Sequence, residues 1–410
     1  MNSTPIRPNQ VLFPLGLGTA LSLMGDATLY TVLPTHTADA GITLGSVGII
    51  LSANRAVRLL LNGPSGLAYD RWPRRWLFLP ALFVGALSTA TYAVMRGFLP
   101  LLIGRLLWGL AWSGIWVGGA TMILDVTTVQ NRGRWTGLYQ TWFFLGAALG
   151  SLAGGALTDW LGYTATMWTG AALTTLGGVM AWLLLPETHG ISQSTDAGQT
   201  GDGHPVDFDS SSVDVKQHAH RTDGGLWFAI SVQGINRFVI SGMMLATTGL
   251  LVQDRLQFAG AAIGVATLTG VLTAGRTILS MAAAPLAGTL SDRMGSRRIA
   301  TTWGLASGAV GMLLLAWGAP IGILAGLSLI AVSGGSVQSL ATTITGDLSS
   351  HAQRGRAIGL LHTAGDFGSA AGPAVAYALL PWTGLSGVYL LCAALFAASL
   401  ILTRRLHDGK

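Results

Sequence analysis

Cysteine occurs once in 410 residues, at Cys392. An internal disulfide is therefore excluded, and a cysteine-based metal site lacks its ligands. Glutamate also occurs once, at Glu187, against sixteen aspartates. Charged residues make up only 10% of the chain, where a soluble globular protein carries about 25%. There is no GxxxxGK[ST] phosphate loop, which argues against ATP-driven pumping, and no H-E-x-x-H zinc motif. No metal site is expected, nor any cofactor beyond a coupling ion. Together these absences point away from an enzyme.

What is abundant is apolar. Half of the residues are hydrophobic and 57 are glycine, and the mean hydropathy is +0.55. Glycine at that level suits helices packed backbone to backbone in lipid. Apolar stretches of about 20 residues recur, the length that crosses a bilayer core of about 30 Å. Twelve are read: Val11–Pro34, Leu44–Gly66, Trp76–Met95, Leu99–Met122, Gly137–Leu157, Ala165–Leu185, Leu226–Leu251, Ala262–Ala287, Ala300–Trp317, Ile321–Ile344, Gly359–Leu380 and Gly384–Leu402. The first is long and lacks a cleavage-like end, so it is expected to stay as an uncleaved span. The expected fold is all-α and integral to the membrane, with twelve transmembrane helices in two pseudo-symmetric six-helix bundles. Residues 1–186 form the first bundle and 226–410 the second. Residues 187–225, rich in Ser, Asp and Gly, read as a disordered cytoplasmic linker.

The chain carries a formal charge of +6. In a soluble protein that would raise nucleic-acid binding; here hydropathy assigns it to topology. With the N-terminus placed in the cytoplasm, sixteen of the 23 Lys and Arg residues fall on the cytoplasmic side. Arg96 and Arg255 alone fall on the other, a strong positive-inside bias. The expected location is the cell (inner) membrane, multi-pass, with both termini cytoplasmic.

The two halves repeat at a constant offset of 222 residues, without gaps. Gly66-Leu-Ala-Tyr-Asp70-Arg71 matches Gly288-Thr-Leu-Ser-Asp292-Arg293, and Arg75 matches Arg297. Asp125 matches Asp347. Arg132-Gly-Arg-Trp-Thr-Gly-Leu138 matches Arg354-Gly-Arg-Ala-Ile-Gly-Leu360 in five of seven positions. Gly146 and Gly150 match Gly368 and Gly372. An even number of spans per half makes these parallel repeats, with substrate expected near the midplane between them.

Charged residues inside the spans are candidate functional groups, because each costs at least about 2.5 kcal/mol at the membrane centre unless paired or wetted. Asp26 lies about 15 residues from the cytoplasmic end of the first span, or roughly 22 Å. Arg105 lies about 17 residues from that end of the fourth span, or roughly 25 Å. The two share a depth and are expected to pair, either as a proton or substrate site or as a static ion pair. Trp108, Trp112 and Trp116 continue the helix stripe that starts at Arg105. They line either a cavity for a large amphiphile or a packing face, and Tyr30, one turn from Asp26, joins the cavity reading. His362 and Asp366 are spaced i, i+4 on the eleventh span and form a candidate proton relay or a core pair. Arg55, Arg58, Arg237 and Arg276 complete the buried charges. Five arginines against Asp26 and Asp366 leave the interior net positive, which raises an anionic substrate as an alternative.

The loop from Gly66 (GLAYDRWPRR) and its second copy from Gly288 (GTLSDRMGSRR) resemble the G-x-L-A-D-R-x-G-R-R signature of the major facilitator superfamily. Pro73 departs from it in the first copy. Leu101, Arg105 and Gly109 resemble the family's fourth-helix signature. Gly137, Gly146, Gly150, Gly154 and Gly155 resemble its fifth-helix signature, with Ser151 in place of proline; Gly359, Gly368, Gly372 and Pro373 repeat the spacing. The resemblance spans nearly the whole chain apart from the linker and termini. It implies a gate in which Asp70 meets the start of the eleventh helix in one conformation and leaves it in the other. Arg71, Arg74 and Arg75 would share that latch, with Asp292, Arg293 and Arg297 as its second copy. The fifth-helix signature implies antiport.

The expected function is therefore secondary transport by alternating access: proton-coupled antiport exporting a small amphiphilic organic compound. Uptake or exchange of an organic or inorganic anion through the arginine-lined interior is the alternative, and a non-transporting sensor on the same fold is a third. A small-molecule substrate and the lipid bilayer are the expected partners, nucleic acid is not, and the protein is expected to be a monomer.

Overall fold

The computed structural model describes residues 7–128, 131–190, 214–256, 263–349 and 354–403, with backbone alone for 214–223 and 354–355. The linker reading falls largely on 191–213, outside the described residues; helix resumes at Asp214. The first bundle comprises α1 (Pro8–Val32), α2 (Leu44–Arg71), α3 (Arg74–Val94), α4 (Phe98–Asp125), α5 (Arg132–Leu161) and α6 (Tyr163–Leu184). The second comprises α7 (Gly224–Arg255), α8 (Val265–Met294), α9 (Arg297–Trp317) and α10 (Pro320–Leu348), followed by a continuous helical stretch, Arg354–Leu402. That stretch breaks at Gly384, whose φ of 64° and ψ of −178° are not helical. The break divides it into α11 (354–383) and α12 (385–402), which completes twelve spans among the described residues.

Burial follows the membrane rather than water. Trp76, Trp160, Trp303, Trp317 and Trp382 are all at least 70% exposed, among many exposed Leu and Ile. A soluble monomer rarely presents such a surface; around a bundle it is the lipid face, with indoles near span ends at interfacial depth. Each half has its own apolar core, one around Leu15, Phe78, Leu82 and Ile115, the other around Met243, Met312, Ile330 and Phe396. A third cluster joins the halves through Leu29, Val47, Ile50, Leu51, Ala246, Ala266 and Tyr377.

Glycines set the helix distances. A Cβ at Gly146 would lie 2.5 Å from the Ala20 carbonyl oxygen, and one at Gly150 would lie 2.6 Å from Met24 Cα. Gly154 presses on the Thr28 side chain, and Thr28 Oγ1 donates to the Gly150 carbonyl at 3.0 Å. In the second half Gly368 meets Gly234, and a Cβ at Gly372 would lie 2.5 Å from Gly242 Cα. Thus α5 lies on α1 as α11 lies on α7.

The repeat also governs how the halves meet. Gly48 of α2 abuts the Pro373 carbonyl of α11, and Gly270 of α8, 222 positions later, abuts the Ser151 carbonyl of α5. Gly155 meets Ala266 on the same seam. The Ala374 amide donates to Ser52 Oγ at 3.1 Å, and the Thr267 amide in the first turn of α8 donates to Asp159 at 2.7 Å. All these contacts lie in the halves of α2, α5, α8 and α11 remote from Arg74 and Arg297. Toward the face that carries those arginines, the basic face, the glycines of these helices make no such approach to described residues. A Cβ at Gly63, Gly66, Gly137, Gly275, Gly288 or Gly359 would meet nothing within 4 Å. Among the described residues, the close contacts between the halves lie on the side remote from the basic face.

Candidate functional site

Asp26 and Arg105 are brought together as the sequence implies. Arg105 Nη1 donates to Asp26 Oδ1 at 2.5 Å. Arg105 is 0% exposed, whereas the Asp26 side chain is 14% exposed. The carboxylate thus sits at the edge of the pair that is accessible. Asn54 Nδ2 of α2 approaches the same oxygen at 3.5 Å. Arg105 Nε and Nη2 are buried with no hydrogen-bond partner among the described residues. An unmade hydrogen bond on a buried charge is expensive, and part of the shortfall is met by the Tyr30 ring, 4.9 Å from the guanidinium carbon.

Tyr30 has a guanidinium on it from a second residue. Arg55 lies 5.1 Å from the same ring centroid. The Tyr30 hydroxyl is used up locally, donating to the Leu51 carbonyl at 3.0 Å. Arg55 then crosses to the other half, where Nη1 donates to the Ser241 carbonyl at 2.8 Å and approaches the Ser369 carbonyl at 3.4 Å. Ser241 belongs to a π-helical segment of α7, Arg237–Met244, a local form frequent at functional sites. Arg237 opens that segment and its Nη1 donates to Ser241 Oγ at 3.4 Å.

Asp366 is placed differently from the expected relay. Its oxygens accept from Arg58 Nη2 at 3.2 Å and from Asn62 Nδ2 at 3.3 Å, both on α2. The carboxylate therefore bridges the halves. His362 is exposed and makes no hydrogen bond or ion pair among the described residues, so the pairing with Asp366 is not formed. Residues spaced i, i+4 share a helix face, but the stronger partner here comes from the helix opposite. Sequence reasoning missed Asn54 and Asn62. Their signal was present: Asn54, Arg58 and Asn62 recur every four residues, a polar stripe on one face of an otherwise apolar helix.

The indoles are packing elements. Trp108 and Trp112 are 1% and 4% exposed and stack at 6.2 Å inside the first bundle. Gly85 on α3 leaves room for the Trp108 ring. The cavity role expected for Trp108 and Trp112 is thus corrected: their face of α4 turns into the bundle's own core. Only Trp116 is partly exposed, between Tyr139 and Phe143. Arg276 on α8 is half-buried, and its Nε has no partner among the described residues.

The two signature loops are built unequally. In the second copy Gly295 closes α8 in the left-handed region at φ 62°, a conformation that glycine adopts freely. Pro73 stands at the equivalent place, with φ −55° and ψ 130°. The following helix then starts one residue earlier in the repeat, at Arg74 rather than Arg75. Arg74 Nε takes Asp125 at 3.2 Å, just as Arg297 Nε takes Asp347 at 3.3 Å. Glu187 accepts from the Arg74 and Arg75 amides at 2.9 and 3.0 Å, so the lone glutamate caps the positive end of α3. Arg75 donates to the Trp182 carbonyl. Arg297 also holds Asp292 at 2.5 Å. Gly66, Arg71, Gly288 and Arg293 engage none of these partners. Asp70 is exposed and makes no hydrogen bond or ion pair among the described residues.

Two six-helix bundles, packed closely on one side and bridged at mid-depth by buried charges, define a multi-pass membrane transporter. The Major Facilitator Superfamily profile matches residues 15–266 and 226–408, and the chain belongs to that superfamily. It is 27% identical over 407 residues to a class G tetracycline resistance protein from Vibrio anguillarum, covering 93% of this chain and 97% of that one. It is 29% identical over 130 residues to a probable 4-methylmuconolactone transporter from Cupriavidus pinatubonensis. That match covers 32% of this chain and spans only 30% of the relative. Among solved structures, a bacterial homologue of the human lysosomal transporter Spinster, in an inward-facing and unoccupied conformation, superposes with a TM-score of 0.72 at 14% identity, covering 98% of this chain and 96% of that one. The nucleoside transporter NupG gives 0.71 at 14% identity, covering 96% of this chain and 97% of that one. At these identities the likeness is one of fold.

Proposed function

We propose that the chain is a proton-coupled antiporter that exports a small amphiphilic organic compound across the cell (inner) membrane by alternating access. The observation that carries this reading is the asymmetry of the Asp26–Arg105 pair: a sealed guanidinium with an accessible carboxylate. On this reading the basic face is cytoplasmic, both termini lie there, and the conformation described is the one that receives cytoplasmic compound. The proton comes from the opposite side, when that side is open, and neutralises Asp26. Protonation removes the charge that holds Arg105, and it frees that guanidinium's grip on α1. Return to the cytoplasm-open state releases the proton and restores the pair. Asp70 engages the start of α11 when the cytoplasmic side closes. The chain works as a monomer with the proton as coupling ion.

The likeness to a tetracycline resistance protein over nearly the whole chain and the α5 glycine pattern support export rather than uptake. The test is made in vesicles of purified protein carrying an internal pH dye. An imposed inward proton gradient should drive uphill movement of a fluorescent amphiphile such as ethidium or a naphthoate. Compound-dependent proton flux should vanish in Asp26→Asn. Uphill transport by that variant at the wild-type rate would sink the proton-site reading.

A further inference from the structure

The seam between the halves holds more positive charge than the described residues neutralise. Arg55 and Arg58 on α2 and Arg237 on α7 lie along it, Arg55 and Arg237 both at Ser241, and one carboxylate, Asp366 on α11, meets Arg58. Among the described residues, Arg55 contacts only carbonyl oxygens and the Tyr30 ring. The one hydrogen bond of Arg237 among the described residues is to a serine hydroxyl, at 3.4 Å. Among the described residues, Arg58 alone of the three pairs with the carboxylate, at 3.2 Å, and its Nε is buried without a partner. The Oε1 of Gln233, one turn before Arg237, is likewise buried and unpartnered among the described residues. Uncompensated charge at this depth is costly. Guanidiniums that contact only neutral oxygens are also the groups best shaped for a bidentate oxyanion.

We infer that Arg55, Arg58 and Arg237 are the seat of an anionic head group on the transported compound, and that Asp366 occupies that seat in the empty protein. The compound is then an amphiphilic organic acid, a carboxylate or sulfonate with an apolar remainder. Its head group enters from the basic face and takes Arg58 from Asp366. It contacts α2 of one half and α7 of the other. A bound acid therefore replaces the bridge between halves that Asp366 supplies when the site is empty. Asp366 is a positioning residue in this scheme: it holds Arg58 in place and is displaced as the ligand arrives. The inference rests on the reading of the chain as an exporter of small amphiphiles, since it names the substrate class of that cavity. It is independent of where the proton binds.

The test is equilibrium binding to the full chain in nanodiscs at neutral pH, without any gradient, using 2-naphthoate and its uncharged isostere 2-naphthamide. Naphthoate should bind wild type at least about tenfold tighter than naphthamide, the scale of one charge-assisted hydrogen bond. Arg237→Gln and Arg55→Gln should each erase that preference. Asp366→Asn removes the internal competitor. If the seat is free about a tenth of the time in wild type, naphthoate should bind this variant about tenfold tighter, with naphthamide unchanged. A purely conformational role for the Asp366 bridge would move both compounds together. Equal binding of the two to wild type, or naphthoate binding that weakens in Asp366→Asn, overturns the inference. Repeating the measurement in Asp26→Asn separates the two proposals. Retained naphthoate preference alongside unaltered proton-driven export there would sink the proton site and leave the arginine seat standing.

Discussion

Arg105 is wholly enclosed by the first bundle while Asp26, 2.5 Å away, keeps part of its side chain accessible. The two members of the pair should therefore fail differently. Arg105→Ala leaves a carboxylate that can still reach water or accept a proton, but it removes a cation around which the bundle is packed. Loss of one partner from a buried pair costs about 3–5 kcal/mol, and the accessibility of Asp26 places this variant at the low end. Asp26→Asn leaves the guanidinium sealed and unneutralised, so its destabilisation should be the larger. Thermal unfolding of both variants in the same detergent checks the order. A lower melting temperature for Arg105→Ala than for Asp26→Asn contradicts it. Arg105→Lys should melt between wild type and Arg105→Ala, since a point charge cannot reproduce the planar fork.

Tyr30 joins the candidate proton site to the seam, with Arg105 and Arg55 on its ring. Tyr30→Phe keeps both ring contacts and loses one hydrogen bond to Leu51, about 0.5–1.5 kcal/mol. Tyr30→Leu loses the ring as well, and with it two cation–π contacts of about 0.5–2 kcal/mol each. Transport in vesicles should survive in the first variant. In the second, the ratio of protons to compound moved should fall, because the two sites are no longer connected. Equal ratios in the two variants would show that the ring does no linking.

Much of this was legible in the sequence, and the exceptions share a cause. The twelve spans follow from hydropathy alone. The match of Gly48 on Pro373 with Gly270 on Ser151 obeys the 222-residue offset already visible in the loops. Depth alone pairs Asp26 with Arg105, because a bilayer gives every intramembrane residue a coordinate along one axis. Depth carries no azimuth. It could not say that Asp366 turns to Arg58 rather than His362, nor that Trp108 and Trp112 turn into the first bundle. The same-face reasoning for that stripe was sound: the indoles do stack, at 6.2 and 5.9 Å. What it lacked was the neighbour each face meets, which only packing supplies.

The two signature aspartates differ in what they hold. Asp292 is paired with Arg297 at the surface, with side chains 65% and 32% exposed. Asp292→Asn should therefore change stability little, within the roughly 0–1 kcal/mol of an exposed pair. Asp70 has no such partner among the described residues, so Asp70→Asn should leave the melting temperature unchanged. Its turnover should nonetheless fall severalfold if Asp70 closes the basic side, with compound binding near normal. Stopped-flow transport beside a melting curve tests both halves. Wild-type turnover in Asp70→Asn would remove the latch.

Orientation is open to direct chemical test because Cys392 is fully buried. The native chain should react poorly with a membrane-impermeant maleimide. Arg134 and Arg96 are exposed at opposite ends of their spans, so Arg134→Cys and Arg96→Cys report the two faces. In intact cells only Arg96→Cys should label from outside; Arg134→Cys should label after permeabilisation. The reverse pattern would invert the topology.

The closed seam leaves no room for a side chain at Gly48. A Cβ at Gly48 would stand 2.7 Å from the Pro373 carbonyl oxygen and 2.8 Å from Tyr377 Cβ. Neither neighbour is the flexible end of a side chain, so the helices themselves must move apart. Gly48→Val should thus wedge α2 from α11 on the side remote from the basic face. Overpacking of this kind costs about 1–3 kcal/mol, here set against one conformation rather than against the fold. The population should shift toward the state open on that side by about tenfold or more, since about 1.4 kcal/mol is a factor of ten. Ser369, buried at the seam and 1% exposed, serves as the reporter. Ser369→Cys should stay unreactive to impermeant maleimide from outside the cell, and become reactive when combined with Gly48→Val. Gly63→Val is the control: it lies on the same helix, but a Cβ there meets nothing within 4 Å. Equal reactivity in the two double variants would mean that the wedge at Gly48 has no special hold on the seam, and that α2 and α11 are not closed where their glycine and proline touch.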